Sequence, residues 1–80
     1  MFMQEKVLDV LAEVCDDDIV REDLNVDLFE NGLLDSIGFI LLITELERKT
    51  GIVISPSELD RNQFNTPQKI IDEVIRRKNA

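Results

Sequence analysis

The pair Asp35-Ser36 is where residue type and spacing in this sequence point to chemistry. It follows the turn signal Asn31-Gly32 and opens the apolar run of the stretch ENGLLDSIGFILLITELE, which places it at the start of a helix. A serine hydroxyl is a weak nucleophile until a base takes its proton, and in hydrolytic triads that base is histidine. The 80 residues contain no histidine. Histidine-based catalysis is excluded, which leaves Ser36 either as a helix cap, a role that Ser and Asp both fill, or as a group on which another enzyme acts. A helix N-terminus offers an attached phosphate its N–H groups and the positive end of the dipole. A phosphodiester on Ser36 is well placed there, with Asp35 beside it to help hold the metal that a modifying enzyme brings.

No other cluster offers comparable chemistry. The single cysteine, Cys15, cannot close an internal disulfide and falls on an apolar helical face, as a small buried hydrophobe would. The Cys/His sets of a structural zinc site are absent. Asp16-Asp17-Asp18 lacks the alternate spacing, central glycine and terminal glutamate of a calcium loop. There is no glycine-rich nucleotide loop, so an autonomous enzyme is disfavoured and no metal site is expected. A helical adaptor domain remains open, although it would have no need of Asp35-Ser36 in this register.

The charge is unevenly placed. Residues 1–47 carry a net −11 and residues 48–80 a net +3, for −8 in all. Nucleic acid requires a basic footprint, so it is not an expected partner. Two uses of the acids stay open: steering of basic-surfaced protein partners, or solubility alone. The basic run Arg76-Arg77-Lys78 is read as the complement of a helix C-terminus. No window is apolar enough to span a membrane, and the N-terminus has no secretory pattern, so a cytoplasmic, monomeric protein is the expectation.

The elements that must position Ser36 follow from periodicity. Met3, Val7, Val10, Leu11 and Val14 form the stripe of a first helix over 3–15, ending before the Asp16-Asp17-Asp18 run. Residues 16–35 form a long connection that eight apolar residues tie down to the core, so it is ordered. A second helix runs from Ser36 to Thr50, with Asp35 or Ser36 as N-cap and Gly51 as its stop. Ile52-Val53-Ile54 is too short and solitary for a sheet. Ser55-Pro56-Ser57-Glu58 is a capping box with an early proline and predicts a short helix near 56–62. Thr66-Pro67 opens a last helix through Ile75 to the basic run. The fold class is all-α: one domain over 1–80, a bundle of three main helices and one short one.

On a helical wheel the second helix has two apolar stripes. Phe39, Leu42, Ile43 and Leu46 fall in one, and Ile37, Ile40, Leu41 and Thr44 in the other. One stripe seals a small bundle. The second either lies under the long connection or stays open for docking, and Ile37 and Leu41 are the residues best placed to stay exposed. Gly38 and Arg48 border this stripe, so Ile37, Gly38, Leu41 and Arg48 are the candidate partner-binding residues.

At these residues the chain resembles the acyl carrier protein family. The motif GLLDSIG, residues 32–38, matches the family's Asp-Ser followed by a large apolar residue at the start of its second helix. The likeness extends along the whole chain, through the long first loop and Phe29 before the motif. It implies an acyl-carrier-like bundle in which Ser36 receives 4′-phosphopantetheine from coenzyme A, added by a Mg²⁺-dependent phosphopantetheinyl transferase. The arm's thiol then carries a cargo as a thioester. Fatty-acid carriers usually read GADSLD, with an acid where this chain has Gly38. Downstream, SELDRNQFNTPQKI (57–70) is similar to the D-alanyl carrier proteins of Gram-positive cell envelopes, through Ser57-Glu58, Asp60-Arg61 and Thr66-Pro67. Leu59 stands where that group has an aromatic residue, Phe64 where tryptophan is usual, and Thr50 where phenylalanine commonly closes the second helix. These departures bear on cargo rather than on the carrier role. The resemblance implies a D-alanine-adenylating ligase that loads the arm, and a membrane acyltransferase system that passes D-alanine towards teichoic acids. A stand-alone carrier for another acyl- or aminoacyl-adenylating enzyme, or for fatty acid or polyketide synthesis, is the alternative it leaves open.

Overall fold

The structure is a computed structural model that describes residues 2–55 and 61–79. Its elements are α1 (Met3–Cys15), α2 (Ile19–Glu22), α3 (Ser36–Thr50), a 3₁₀ turn (Arg61–Gln63) and α4 (Pro67–Lys78). The fold class is all-α, as the periodicity requires, and α1, α3 and α4 are the three main helices. Pro56, Ser57 and Glu58 of the expected capping box lie outside the described residues; the Arg61–Gln63 turn falls where that helix was expected to end. The short α-helix that is described is α2, inside the connection between the first two long helices. Four residues are too few to generate a helical period, which is why it leaves no trace in the sequence pattern.

The core follows from the apolar stripes. Val7, Val10 and Leu11 of α1, Leu42 and Leu46 of α3, and Ile70 and Val74 of α4 are buried together. Helix α1 packs against both α3 and α4. Leu28 and Leu34 of the connection and Phe64 ahead of α4 complete the cluster. Among the described residues no polar or charged side chain is buried.

The connection is ordered by its own carboxylates. Asp17 Oδ1 accepts from Ile19 N–H at 2.9 Å, and Asp23 Oδ1 accepts from Asn25 N–H at 2.9 Å. Asp27 Oδ1 accepts from the N–H groups of Phe29 and Glu30, while its Oδ2 accepts from Asn65 Nδ2 at 3.1 Å. These are Asx turns, in which a short acid satisfies backbone donors that no helix serves. Two backbone bonds tie the same loop to the approach of α4: Leu28 N–H to the Asn65 carbonyl at 2.8 Å, and Gln68 N–H to the Leu24 carbonyl at 2.9 Å.

Helix α1 ends because Asp16 turns into the left-handed region, φ 53°, where its N–H donates to the Ala12 carbonyl. The stop falls at the acidic run as expected, but a backbone turn makes it. A Cβ in that conformation costs energy that glycine avoids. Asp16→Gly is therefore expected to raise stability by about 0.5–1 kcal/mol, the helical C-cap preference exceeding glycine's entropy cost. A thermal melt of both chains checks this, and an unchanged or lower midpoint refutes it.

Cys15, one residue earlier, is half-buried against the core. Burial, and then the charge of Asp17, push its thiol up to about 11, so it stays protonated at neutral pH. At the end of α4, Glu73 accepts from Arg76 and from Arg77 Nε, the latter at 2.9 Å. The hydrogen bond from Arg76 leads in holding the Glu73 carboxyl below its ordinary range. Two cations of the basic run are thus turned onto their own helix.

Candidate functional site

Ser36 is the first residue of α3, and the residue before it makes the cap. Asp35 has extended backbone, φ −120° and ψ −173°, and its Oδ1 accepts from Gly38 N–H at 2.6 Å. The Asp35 carbonyl then receives Phe39 N–H at 2.8 Å and starts the helical ladder. The sequence alone left the cap open between Asp35 and Ser36. The structure gives it to Asp35, and the exposed Ser36 stands at the positive end of a 15-residue helix.

Core packing, a backbone hydrogen bond and ring contacts hold this corner in place. Leu34, just before the cap, is 5% exposed and belongs to the core. Its N–H donates to the Leu28 carbonyl at 3.0 Å, which fixes the approach of the chain to α3. One turn into the helix, the Phe39 ring lies 5.9 Å from Phe29 and packs edge-on against Phe64 at 5.5 Å. The aromatic row joins the connection, α3 and the segment before α4, so the first turn of α3 is anchored from both sides. At the far end Gly51, φ 74°, closes the helix with its N–H on the Glu47 carbonyl at 2.8 Å.

The two wheel stripes of α3 separate cleanly. Leu42, Ile43 and Leu46 are buried and Phe39 is partly so, whereas Ile37, Ile40 and Leu41 are 80%, 55% and 48% exposed. The connection does not cover the second stripe. Ile37 and Leu41 therefore lie together on the face that carries Ser36, with Ile40 a third apolar residue there. Gly38 lies half-buried on the inner side of the first turn, against Leu34 and Asp35. Arg48 is exposed and pairs with Glu45 at 3.4 Å, three turns along from Ser36. Val53, 67% exposed beyond α3, is an apolar surface residue that the sequence pattern did not single out. The Asp27–Asn65 tie was also missed, since its partners are 38 residues apart and nothing local marks them.

An exposed hydroxyl at a helix N-terminus can accept a phosphate into a favourable field. Among the described residues no group of three or more Cys, Asp or Glu is arranged to hold a metal ion, and no helix is long and apolar enough to cross a membrane.

Three main helices, a tied-down first connection and a long helix that presents its N-terminal turn define an acyl-carrier-like bundle. Comparison with known proteins narrows this. The sequence profile of a family described as a phosphopantetheine attachment site matches residues 5–74. The D-alanyl carrier protein of Bacillus subtilis (strain 168) is 45% identical over 74 residues, which cover 92% of this chain and 95% of that protein. The D-alanyl carrier protein of Bacillus velezensis is 43% identical with the same coverage. That of Bacillus cereus (strain B4264) is 44% identical over 71 residues, 89% of this chain and 90% of the relative. The chain belongs to the phosphopantetheine-attachment family of carrier proteins, whose group is a covalent 4′-phosphopantetheine on a serine. A protein of this kind works with partners, one that attaches the arm and others that load and unload it.

Proposed function

We propose that this chain is a D-alanyl carrier, with Ser36 as the point of attachment and the exposed stripe of α3 as the surface its partners grip. The observation that carries the reading is the placement of Ser36, exposed at the first position of α3 behind an Asp35 cap, inside the segment that matches the attachment family. The sequence has two other serines: Ser55 is half-buried, and Ser57 lies outside the described residues. The cargo assignment is supported by the D-alanyl carrier proteins at 43–45% identity.

Ser36 Oγ supplies the oxygen of the new bond to phosphorus while the diphosphate P–O bond of coenzyme A breaks and adenosine 3′,5′-bisphosphate leaves. Its proton passes to a base on the transferase, because the carrier has no histidine to take it. Asp35 uses one carboxylate oxygen in the cap, and because the residue is exposed its second oxygen can be shared with the transferase's metal. Once attached, the arm's thiol carries the amino acid as a thioester. The chain itself catalyses nothing in this scheme. An ATP-dependent ligase in the cytoplasm loads D-alanine, and a membrane acyltransferase system takes it on towards teichoic acids. A small polar cargo gains little from entering an apolar core, so the D-alanyl group stays outside the bundle.

The test is to offer the modified carrier and its adenylating ligase D-alanine, L-alanine and a fatty acid in turn. Preferential acceptance of D-alanine is the expected result. Loading by a fatty acid or by L-alanine instead assigns the chain to another carrier class.

The docking stripe makes a second prediction. Leu41 is half-exposed, so Leu41→Glu is expected to lower the kcat/KM of loading about tenfold, the effect of truncating an interface anchor. Helical content and melting temperature stay near those of the parent chain. Unaltered loading removes Leu41 from the docking surface, and loss of the fold makes it a core residue.

A further inference from the structure

Gly38 is the third residue of α3, and it sits where alanine would give the better helix. Its surroundings explain the glycine. A Cβ built there would lie 3.2 Å from Asp35 Oδ1 and 3.2 Å from Leu34 Cδ1. Both distances are shorter than ordinary carbon contacts, so something has to give. Leu34 is 5% exposed and held by the core, which leaves it little room to swing away. The remaining freedom is in the Asp35 carboxylate, whose Oδ1 accepts from Gly38 N–H at 2.6 Å. A side chain at position 38 therefore pushes on the cap itself, one residue from the hydroxyl.

We infer that Gly38 is a positioning residue for the modification of Ser36. Its missing side chain lets Leu34 and Asp35 close over the first turn of α3, which fixes the direction of the Ser36 hydroxyl and of the outer Asp35 oxygen. The inference rests on Ser36 being the attachment serine. Gly38 touches no reacting atom in this account and acts through Asp35 and Leu34.

The experiment follows coenzyme A-dependent mass gain catalysed by a broad-range phosphopantetheinyl transferase with Mg²⁺. It uses the parent chain, Gly38→Ala, Leu34→Val and the double variant, with far-UV circular dichroism and a thermal melt on each. Displacement of the acceptor by a fraction of an ångström is expected to lower kcat about tenfold in Gly38→Ala. The KM for the carrier changes by less than about twofold, since Ile37 and Leu41 still present the same stripe. Shortening Leu34 opens the space the new methyl needs, so the double variant returns to within about threefold of Leu34→Val alone.

Parental kcat in Gly38→Ala overturns the inference and leaves the attachment reading standing. So does a change confined to KM, which makes Gly38 a docking residue. Equal slowing in both Leu34 backgrounds removes the contact as the cause, and loss of the helical signal in Gly38→Ala makes the glycine a requirement of folding. A parent chain that gains no mass, or a Ser36→Ala chain that does, overturns the attachment reading and this inference with it.

Discussion

Ser36→Ala is expected to abolish the coenzyme A-dependent mass gain completely, while Ser55→Ala gains one phosphopantetheinyl group as the parent chain does. Intact-mass measurement after incubation with transferase, Mg²⁺ and coenzyme A reads both. On the proposed reading the Ser36 hydroxyl is the acceptor, so the loss is all-or-none. The variant is informative because it leaves the Asp35 cap in place. Ser36 is exposed, and the capping bond belongs to Asp35, which remains. A substitution of that kind stays within about 0.5 kcal/mol, or a shift of about 2–4 °C in the melt of a domain this size. A Ser36→Ala chain that still takes the group would move the attachment to another serine. It would also remove the functional meaning of the exposed stripe around Ser36.

The sequence carried the helices because their signals are local. The period of Met3, Val7, Val10, Leu11 and Val14 marks α1, and the pairing of Asp35 with Gly51 brackets α3 to the residue. Thr66-Pro67 marks α4 for the same reason: the Thr66 side chain accepts from Lys69 N–H at 3.1 Å, as a cap must. Where two residues could satisfy one demand, the pattern was silent. Asp35 and Ser36 are both good caps, and it is the folded structure in which Asp35 takes the Gly38 N–H. The wheel divided the apolar residues of α3 into two stripes, yet it could not say whether the connection covers the second. That depends on Asp27 reaching Asn65 and Leu28 reaching the Asn65 carbonyl, contacts set by the fold rather than by neighbours in sequence. The left-handed turn at Asp16 has the same character, since aspartate tolerates that conformation without announcing it. The family was legible through the resemblance of GLLDSIG, while the absence of histidine excluded only histidine-based catalysis at Ser36.

The largest effect on stability is expected at Phe64. Its side chain is fully buried, and its ring meets Phe39 edge-on while Phe39 in turn meets Phe29. Truncation to alanine removes the transfer free energy of the ring and leaves a hole that the three surrounding segments close only in part. Phe64→Ala is expected to cost about 3–5 kcal/mol. A chain of this length has about 4–12 kcal/mol in total, so the loss is a large share of it. In the melt that corresponds to a fall of at least about 12 °C. Phe64→Leu keeps most of the volume and is expected to cost less than about 1.5 kcal/mol. Urea unfolding of the three chains separates these cases, with midpoints ordered parent, leucine, alanine and slopes unchanged. Because Phe39 sits one turn from Ser36 on α3, the alanine variant should also loosen the first turn of that helix. Amide exchange in residues 36–39 ought to quicken in Phe64→Ala more than in Phe64→Leu. If the alanine chain melts within a few degrees of the parent, the aromatic row is not what anchors α3, and the burden falls on Leu34 and the backbone ties of the connection.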